Sequence, residues 1–293
     1  MYYIIYPLFY GLSLLPWRVM YLLSDGIYVL VYYIFGYRKK VVMSNLTIAF
    51  PEKTEQQKVR IAKDFYRNFI DTFIETIKLI SISPKEFDKR CVVDSSMVNE
   101  LHKTGQSIQF HTGHFFNWEF VNLGIAKNFK GRFIGVYMPM TNKAINKLML
   151  QMRGQFNTIL VSAHEFRTSF HTYNKEPYSL GLAADQKPSN PLKAYWLPFF
   201  GKMTPFFTGP EKGAVRMNTA VVMTNFYKVK RGYYKIDFSL LTTTPNELPK
   251  GEITKKLVEY IEAAVRERPS NYLWSHKRFK FEYNESEHGH LKV

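Results

Sequence analysis

The sequence contains only one cysteine, Cys91, among 293 residues, so no disulfide can form within the chain. It also lacks a cluster of cysteine and histidine with metal-ligand spacing, and no metal or cofactor is expected. Without a disulfide framework or a metal cluster, a body on the cytoplasmic side of a membrane is favoured over a secreted protein.

Acidic residues are scarce relative to basic ones. There are 24 Asp and Glu against 40 Lys and Arg, a formal net charge of +16. Such an excess indicates an acidic partner, which would be nucleic acid, anionic lipid or an acidic protein. No helix-turn-helix or zinc-finger spacing is present, so a nucleic-acid partner is not expected.

Charge is almost absent from the first 37 residues, where only Arg18 and Asp25 are charged. The early positive charge and small-residue cleavage site of a signal peptide are also missing. The run Gly26–Tyr37 is shorter than the roughly 20 residues of a spanning helix, and three basic residues follow it at once. We expect residues 1–40 to be an anchor that lies in or dips into a membrane. One tilted span and a buried hairpin of a soluble protein are the alternatives.

The remainder, residues 41–293, is expected to be one domain. Its sequence is rich enough in apolar residues to form a large core, since the chain is 46% hydrophobic and 16% aromatic. Thr54 and Gln57 have the spacing of a capping box before a long helix. Further along, segments with strand and helix patterns alternate. The predicted strands are Ser107–His111, Arg132–Tyr137, Thr158–Ser162 and Tyr178–Ala184, and the predicted helices are Phe115–Lys127, Lys143–Gln155 and Glu165–Tyr173.

This alternation predicts an α/β fold with a mixed or largely parallel central sheet flanked by helices. A hairpin over Ala220–Thr243, turning near Gly232, and a final amphipathic helix at Glu252–Glu267 complete the expected elements.

The strongest local motif is the segment His111–Glu119, which follows an apolar strand and begins a helical pattern. His114 lies in a strand-to-helix loop, where α/β proteins place their sites, and a histidine can take a proton at neutral pH. Glu119 could turn back to the other ring nitrogen and orient the ring. Spacing alone favours the simpler interpretation, a loop histidine and a glutamate that stabilises the helix N-terminus, because a His and a Glu five residues apart are common.

Further blocks accompany this motif in order along nearly the whole chain. They are Val136–Pro139 with Asn142 and Arg153, Ala184–Gln186, Leu197–Gly201 with Phe207–Gly209, and Tyr272–Phe279. Together with His114–Glu119 they resemble the bacterial lipid A late acyltransferases (lauroyl and myristoyl acyltransferases). That family belongs to the lysophospholipid and glycerolipid acyltransferase superfamily.

The resemblance implies a glycerolipid acyltransferase-like fold and direct attack of a lipid hydroxyl on an acyl thioester. It implies that His114 is the general base and Glu119 its partner. Arg153 would bind a phosphate of the acceptor or the donor, and Asp185 would organise the polar floor. A further set of substrate-binding candidates consists of Asn117 in the motif, with Thr208 and Gly209 as donors near the acyl carbonyl.

Two positions depart from the family pattern. Phe116 stands where glycine is common, which would reshape the substrate path. Met138 stands where a basic residue is common, which would remove a contact to a headgroup phosphate.

The resemblance also implies partners and a location: acyl-acyl carrier protein as donor, a lipid A precursor as acceptor, and the cytoplasmic face of a bacterial inner membrane with anionic lipid. A lysophospholipid or an aminolipid is the alternative acceptor. The alternatives from other classes are a non-catalytic lipid-binding protein on the same fold and an acyl hydrolase using Cys91. Cys91 lacks the neighbouring histidine or positive helix start that a reactive thiol needs.

Overall fold

A computed structural model describes residues 2–293, all but the side chain of Arg167. The α-helices are α1 Tyr2–Leu14, α2 Trp17–Val29, α3 Lys39–Ala49, α4 Glu55–Leu79, α5 Pro84–Arg90, α6 Ser96–Lys103, α7 Trp118–Asn128, α8 Lys143–Arg153, α9 Phe166–Ser169, α10 Gly209–Met217, α11 Glu252–Glu267 and α12 Glu285–His288. The strands are β1 Cys91–Val93, β2 Ile108–Thr112, β3 Arg132–Tyr137, β4 Ile159–Ser162, β5 Tyr178–Ala183, β6 Ala194–Phe199, β7 Lys202–Phe207, β8 Ala220–Lys230 and β9 Tyr233–Thr242.

Seven strands form a mixed central sheet in the order β1-β9-β8-β2-β5-β3-β4. All neighbours are parallel except the β8–β9 hairpin. Strands β6 and β7 form a separate antiparallel pair. The predicted α/β class is confirmed, and β2 and β5, which are far apart in sequence, are neighbours at the centre.

The local predictions agree closely with the structure. Strand β3 and helix α11 have the predicted bounds, and the β8–β9 turn contains Gly232 in the left-handed region at φ +75°. Thr54 and Gln57 form both hydrogen bonds of the capping box that begins α4. The segment predicted as one helix over Glu165–Tyr173 is shorter, because a single turn of α-helix gives way to a 3₁₀ turn.

The first two helices form a bent pair packed against α4. No single helix in residues 2–293 has the length and apolar character of a membrane span. A short π-helical segment, Leu30–Ile34, continues α2, and Tyr2–Leu14 and Trp17–Ile34, bent by 112°, meet that test together. One side of the pair is buried through Met20, Tyr28 and Tyr32. The other side leaves many large apolar side chains exposed, among them Tyr3, Ile4, Leu8, Leu14, Leu22, Tyr33, Ile34 and Phe35.

Polar contacts hold this pair in place. The Ser24 hydroxyl donates to Asp71 at 2.7 Å, and the Tyr21 hydroxyl donates to Glu75 at 3.0 Å. Lys78 donates to the carbonyl of Leu15 at the bend between the two helices. Buried polar groups need such partners, so the contacts fix the position of α1 and α2 on α4.

Candidate active site

The site begins where β2 and β5 end. The two strands are parallel and adjacent, and Thr112 is in register with Ala183. Two residues beyond these positions stand His114 and Asp185, so the sheet brings them together at its carboxyl edge. The distance from His114 Nδ1 to Asp185 Oδ1 is 2.6 Å, and the His114 backbone N–H donates to the same oxygen at 3.0 Å.

Asp185 is buried, with 1% of its surface exposed. Burial alone would raise its pKa, but the charge of His114 and hydrogen bonds from His114 and Tyr272 outweigh this and lower the pKa to about 2. The carboxylate is therefore ionised at neutral pH and accepts a hydrogen bond from the Nδ1–H group of His114. The side chain of His114 is 25% exposed, and its Nε2 atom is the nitrogen left to take a proton from a substrate.

The carboxyl-terminal part of the chain holds the His114 loop from the other side. The backbone N–H of Leu273 donates to the carbonyl of His114 at 3.1 Å, and the N–H of Phe116 donates to the carbonyl of Asn271 at 3.0 Å. Tyr272 forms an isolated antiparallel bridge with Phe115. This explains the place of the Tyr272–Phe279 block in the motif set, because its first residues fix the backbone around His114.

The expected contact between Glu119 and His114 is wrong. Both oxygens of Glu119 instead accept from Arg153, at 2.9 Å and 3.1 Å from Nε and 2.5 Å from Nη2. The reason is geometric. Glu119 lies in the first turn of α7, which packs against the end of α8 where Arg153 stands, while His114 precedes the helix and reaches the strand ends.

The Glu119–Arg153 pair is largely buried, with 3% and 18% of the side chains exposed. Burial lowers the pKa of Arg153, but the hydrogen bond and charge of Glu119 outweigh it and raise the pKa. Because Nε and Nη2 both face Glu119, the fork that was expected to bind phosphate is mostly occupied by protein. Nη1 makes no hydrogen bond to the described residues and remains for a ligand.

Asn117 has a different place from the one expected of a substrate ligand. Its side chain is fully buried and caps α7, since Oδ1 accepts from the N–H of Glu119 at 3.1 Å. Its Nδ2 donates to Oε2 of the buried Glu75 at 3.2 Å. Asn117 therefore holds the start of the helix that presents Glu119.

A cavity of about 420 Å³ lies beside these residues. His114, Trp118, Glu119 and Arg153 contribute to its polar side, with Met138, which is 63% exposed, near the opening. Most of the remaining lining is apolar, although Thr112, Asn122, Gln186 and Thr224 also contribute. The buried apolar members are Phe110, Val121, Ile125, Phe133 and Phe226. Such a lining suits a hydrocarbon chain whose reactive end stays near His114.

The two departures from the family pattern differ in their outcome. Met138 is at the cavity, as its sequence position suggested. The ring of Phe116 is buried against Phe65 and Phe69 of α4 and against Trp118. Phe116 thus contributes to the core between α4 and α7.

Thr208 and Gly209 are not brought to this cavity. They stand at the start of α10 and line a second cavity, which contains Gln109 of β2, whereas the first contains Phe110. Successive strand residues point to opposite faces of a sheet, so the two cavities lie on opposite faces. Sequence spacing does not reveal which face a distant loop will cover.

Sequence reasoning did not identify Glu75 and Tyr234. Glu75, on α4, is fully buried and accepts hydrogen bonds from the hydroxyls of Tyr234 and Tyr21 as well as from Asn117. No local signal distinguished Glu75, because three of the four residues one turn away from it on α4, Asp71, Thr72 and Lys78, are also polar or charged. Its burial depends on packing against other elements of the fold, where a buried carboxyl needs polar partners.

A histidine held by a buried carboxylate beside an apolar cavity is suited to general-base chemistry on a substrate with a hydrocarbon part. The chain matches the family of bacterial lipid A biosynthesis acyltransferases over residues 1–281, and it belongs to that family. A search of curated proteins finds no match to this chain. Family membership supports an acyltransferase activity in lipid A biosynthesis.

Proposed function

We propose that this protein transfers a fatty acyl chain from acyl-acyl carrier protein to a hydroxyl group of a lipid A precursor at the cytoplasmic face of a bacterial inner membrane. The observation on which the proposal rests is the His114–Asp185 pair at the edge of the apolar cavity. A protein that only binds lipid has no need of such a pair, so this arrangement favours an enzyme.

The acyl group passes directly from the thioester to the acceptor hydroxyl, without an acyl-enzyme. Nε2 of His114 takes the proton of the acceptor hydroxyl while the oxygen attacks the thioester carbonyl, and a C–O bond forms. The tetrahedral intermediate then collapses, the C–S bond breaks, and the departing sulfur receives the proton from the imidazolium. Asp185 stabilises the charged ring throughout and keeps Nδ1 protonated.

Arg153 provides a positive charge in the cavity wall whose direction is fixed by Glu119. We assign its free Nη1 to the phosphate of one substrate, either the acceptor headgroup or the donor's phosphopantetheine. Glu119 acts through Arg153 in this scheme and has no contact with the reacting atoms.

Two features support the membrane and the carrier protein as partners. The segment 1–40 has an exposed apolar side and ends with the basic residues Arg38, Lys39 and Lys40. Apolar side chains next to cations suit an anionic membrane surface. We propose that residues 1–40 form the membrane-binding segment and that residues 41–293 form the acyltransferase domain. The net charge of +16 also favours an acidic carrier protein.

The test is acyl transfer by the purified protein, with lipid products identified by mass spectrometry. The donors are acyl-acyl carrier protein and acyl-coenzyme A, and the acceptors are a lipid A precursor, a lysophospholipid and an aminolipid. We expect one added acyl chain on the lipid A precursor. Transfer only to another acceptor would correct the substrate, and no transfer to any acceptor would contradict the proposal.

The matched variants are His114→Ala and His164→Ala, since His164 is an exposed histidine outside the cavity. General-base catalysis contributes about 10²–10⁴-fold. A loss of that size is expected for His114→Ala only. A loss below tenfold would exclude His114 as the base.

A further inference from the structure

The second cavity, of about 980 Å³, is larger than the one beside His114. It lies between β5, α9 and the first turns of α10, on the sheet face opposite His114, and Leu182 at the end of β5 touches both cavities. The catalytic scheme above makes no use of it.

One part of its wall is apolar and aromatic. Phe166, Phe170 and Tyr178 form a cluster with ring centroids 4.8 Å and 5.2 Å apart, and Leu180 and Leu182 continue this surface along β5. Covering an open apolar surface of this kind with a hydrocarbon is favourable, because it removes apolar area from water. The ligand therefore has an apolar part.

The rim of the same cavity is positively charged. Lys193, Lys212, Arg216 and Lys250 line it, and no acidic side chain does so in the part of the chain that the structure describes. None of the four forms a salt bridge within residues 2–293. Uncompensated cations around one opening attract an anion.

The nearby acid, Glu211, does not neutralise this rim. Its side chain is buried and accepts hydrogen bonds from the backbone N–H groups of Gly251 and Thr254 and from the Thr254 hydroxyl. Glu211 is thus directed toward the start of α11.

A polar group within the cavity wall also lacks a partner. Tyr178 is 3% exposed, and its hydroxyl has no hydrogen-bond partner among the described residues. A buried hydroxyl without a partner is unfavourable, because it has lost its hydrogen bonds to water. A polar ligand group close to Tyr178 would provide the missing partner.

We propose that this cavity is a second lipid site, which binds a phosphorylated amphiphile with its phosphate among the four cations and part of a chain on the Phe166–Phe170–Tyr178 surface. The volume is too small for a protein domain and is in the range of small-molecule sites. The phosphate has two possible sources, a membrane phospholipid and the phosphorylated acceptor of the proposed reaction.

The first test measures binding of dihexanoyl phosphatidic acid to the full chain by calorimetry, with dihexanoyl phosphatidylcholine and inorganic phosphate as comparison ligands. Lys212→Ala/Arg216→Ala removes two exposed rim charges one helical turn apart on α10. Lys85→Ala/Lys89→Ala on α5 is the matched control, with the same spacing and the same loss of charge.

We expect the α10 variant to bind phosphatidic acid at least about tenfold more weakly and the α5 variant to remain within twofold of wild type. Phosphatidylcholine should bind more weakly than phosphatidic acid because its choline cation balances the charge of its phosphate. Inorganic phosphate should bind more weakly because it has no hydrocarbon chain. Equal effects of the two variants, or no effect of either, would overturn the proposal.

Tyr178→Phe separates ligand binding from folding. The substitution removes a hydroxyl that has no partner in the free protein, so the Tm should stay unchanged or rise. Affinity for phosphatidic acid should fall severalfold. A fall in Tm with unchanged affinity would show that Tyr178 serves the fold only.

Competition identifies the source of the phosphate. Displacement of phosphatidic acid by a lipid A precursor would assign the cavity to the acceptor. This assignment rests on the proposed function. Binding that this precursor does not displace would assign it to membrane phospholipid. The binding test itself needs no catalysis, so it remains decisive if the proposed activity fails.

Discussion

Asp185 Oδ1 accepts two hydrogen bonds from one residue, His114, through the ring Nδ1 at 2.6 Å and the backbone N–H at 3.0 Å. The carboxylate thus fixes the loop and the ring together. Replacing Asp185 by Asn keeps the shape but removes the charge that stabilises the imidazolium.

Asp185→Asn should lower kcat by about 10²–10⁴-fold while the circular dichroism spectrum stays that of wild type. Because His114 and Asp185 act as a unit, the double variant with His114→Ala should be no slower than the slower single variant. Additive losses in kcat would mean that Asp185 acts independently of the histidine.

The Glu119–Arg153 pair predicts that single substitutions destabilise the protein more than the double substitution does. Removing one partner leaves a buried charge without compensation, which costs about 3–5 kcal/mol. Glu119→Gln should therefore lower the free energy of unfolding by roughly that amount, and Glu119→Gln/Arg153→Gln should recover much of it. Urea unfolding of the wild type, Glu119→Gln, Arg153→Gln and the double variant measures this coupling in a double-mutant cycle, and a coupling near zero would contradict the pairing.

Glu75 should make stability depend on pH. Burial first, and then the charge of Asp71, raise its pKa from 4.5 to about 7, against the opposing hydrogen bond from Tyr234. A carboxyl whose pKa is raised on folding stabilises the protein below its unfolded pKa. This contribution is lost as pH rises from about 4.5 through 7.

The loss at Glu75 amounts to about 3 kcal/mol. Glu75→Gln removes the titration, so the difference in unfolding free energy between wild type and this variant should change by that amount between pH 4.5 and 8. Parallel pH profiles for the two proteins would show that Glu75 does not change its protonation on folding.

Cys91 is expected to be inert. It is buried, and burial together with the charge of Asp88 raises the pKa of its thiol to about 12. Cys91→Ser should retain more than about half of the activity, and iodoacetamide at pH 8 should not inhibit through this residue. Acylated Cys91 recovered during turnover would replace the direct displacement with a thiol-dependent mechanism.

The exposed apolar side of α1 and α2 should determine membrane binding. Replacing Ile4, Leu22 and Ile34 by Gln should reduce binding to vesicles containing phosphatidylglycerol by at least about a hundredfold, because each buried aliphatic side chain contributes about 1.5–3 kcal/mol. The matched control replaces the exposed Val92, Val229 and Leu240 by Gln. Similar sedimentation of both variants with vesicles would place the membrane-binding surface elsewhere.

The sequence predicted correctly the features that depend on residues close together along the chain. Capping at Thr54, the hairpin at Gly232 and the bounds of β3 follow from spacings of a few residues. The partner of His114 does not, because β2 and β5 are adjacent only through the order of strands in the sheet. Within the local motif Glu119 was the acid in reach along the chain, while Asp185 is the acid in reach through space.

The two predicted ligands at Thr208 and Gly209 show the same limit. Their position on the far face of the sheet depends on how α10 returns to β8, which no local pattern specifies. Asn117 was predicted within a helix beginning at Phe115 and as a substrate ligand, whereas it caps α7, which begins at Trp118. Its buried partner Glu75 comes from a different helix.

The hydrogen bonds of Asn271 and Leu273 to the His114 loop also have a consequence for biosynthesis. During translation α1 and α2 leave the ribosome long before residues 271–273 are made. A nascent chain therefore exposes its apolar helices while the loop around His114 still lacks its last supports. The order of synthesis thus places the apolar helices outside the ribosome before the loop around His114 can be completed, and a chain truncated ahead of residue 271 lacks these hydrogen bonds.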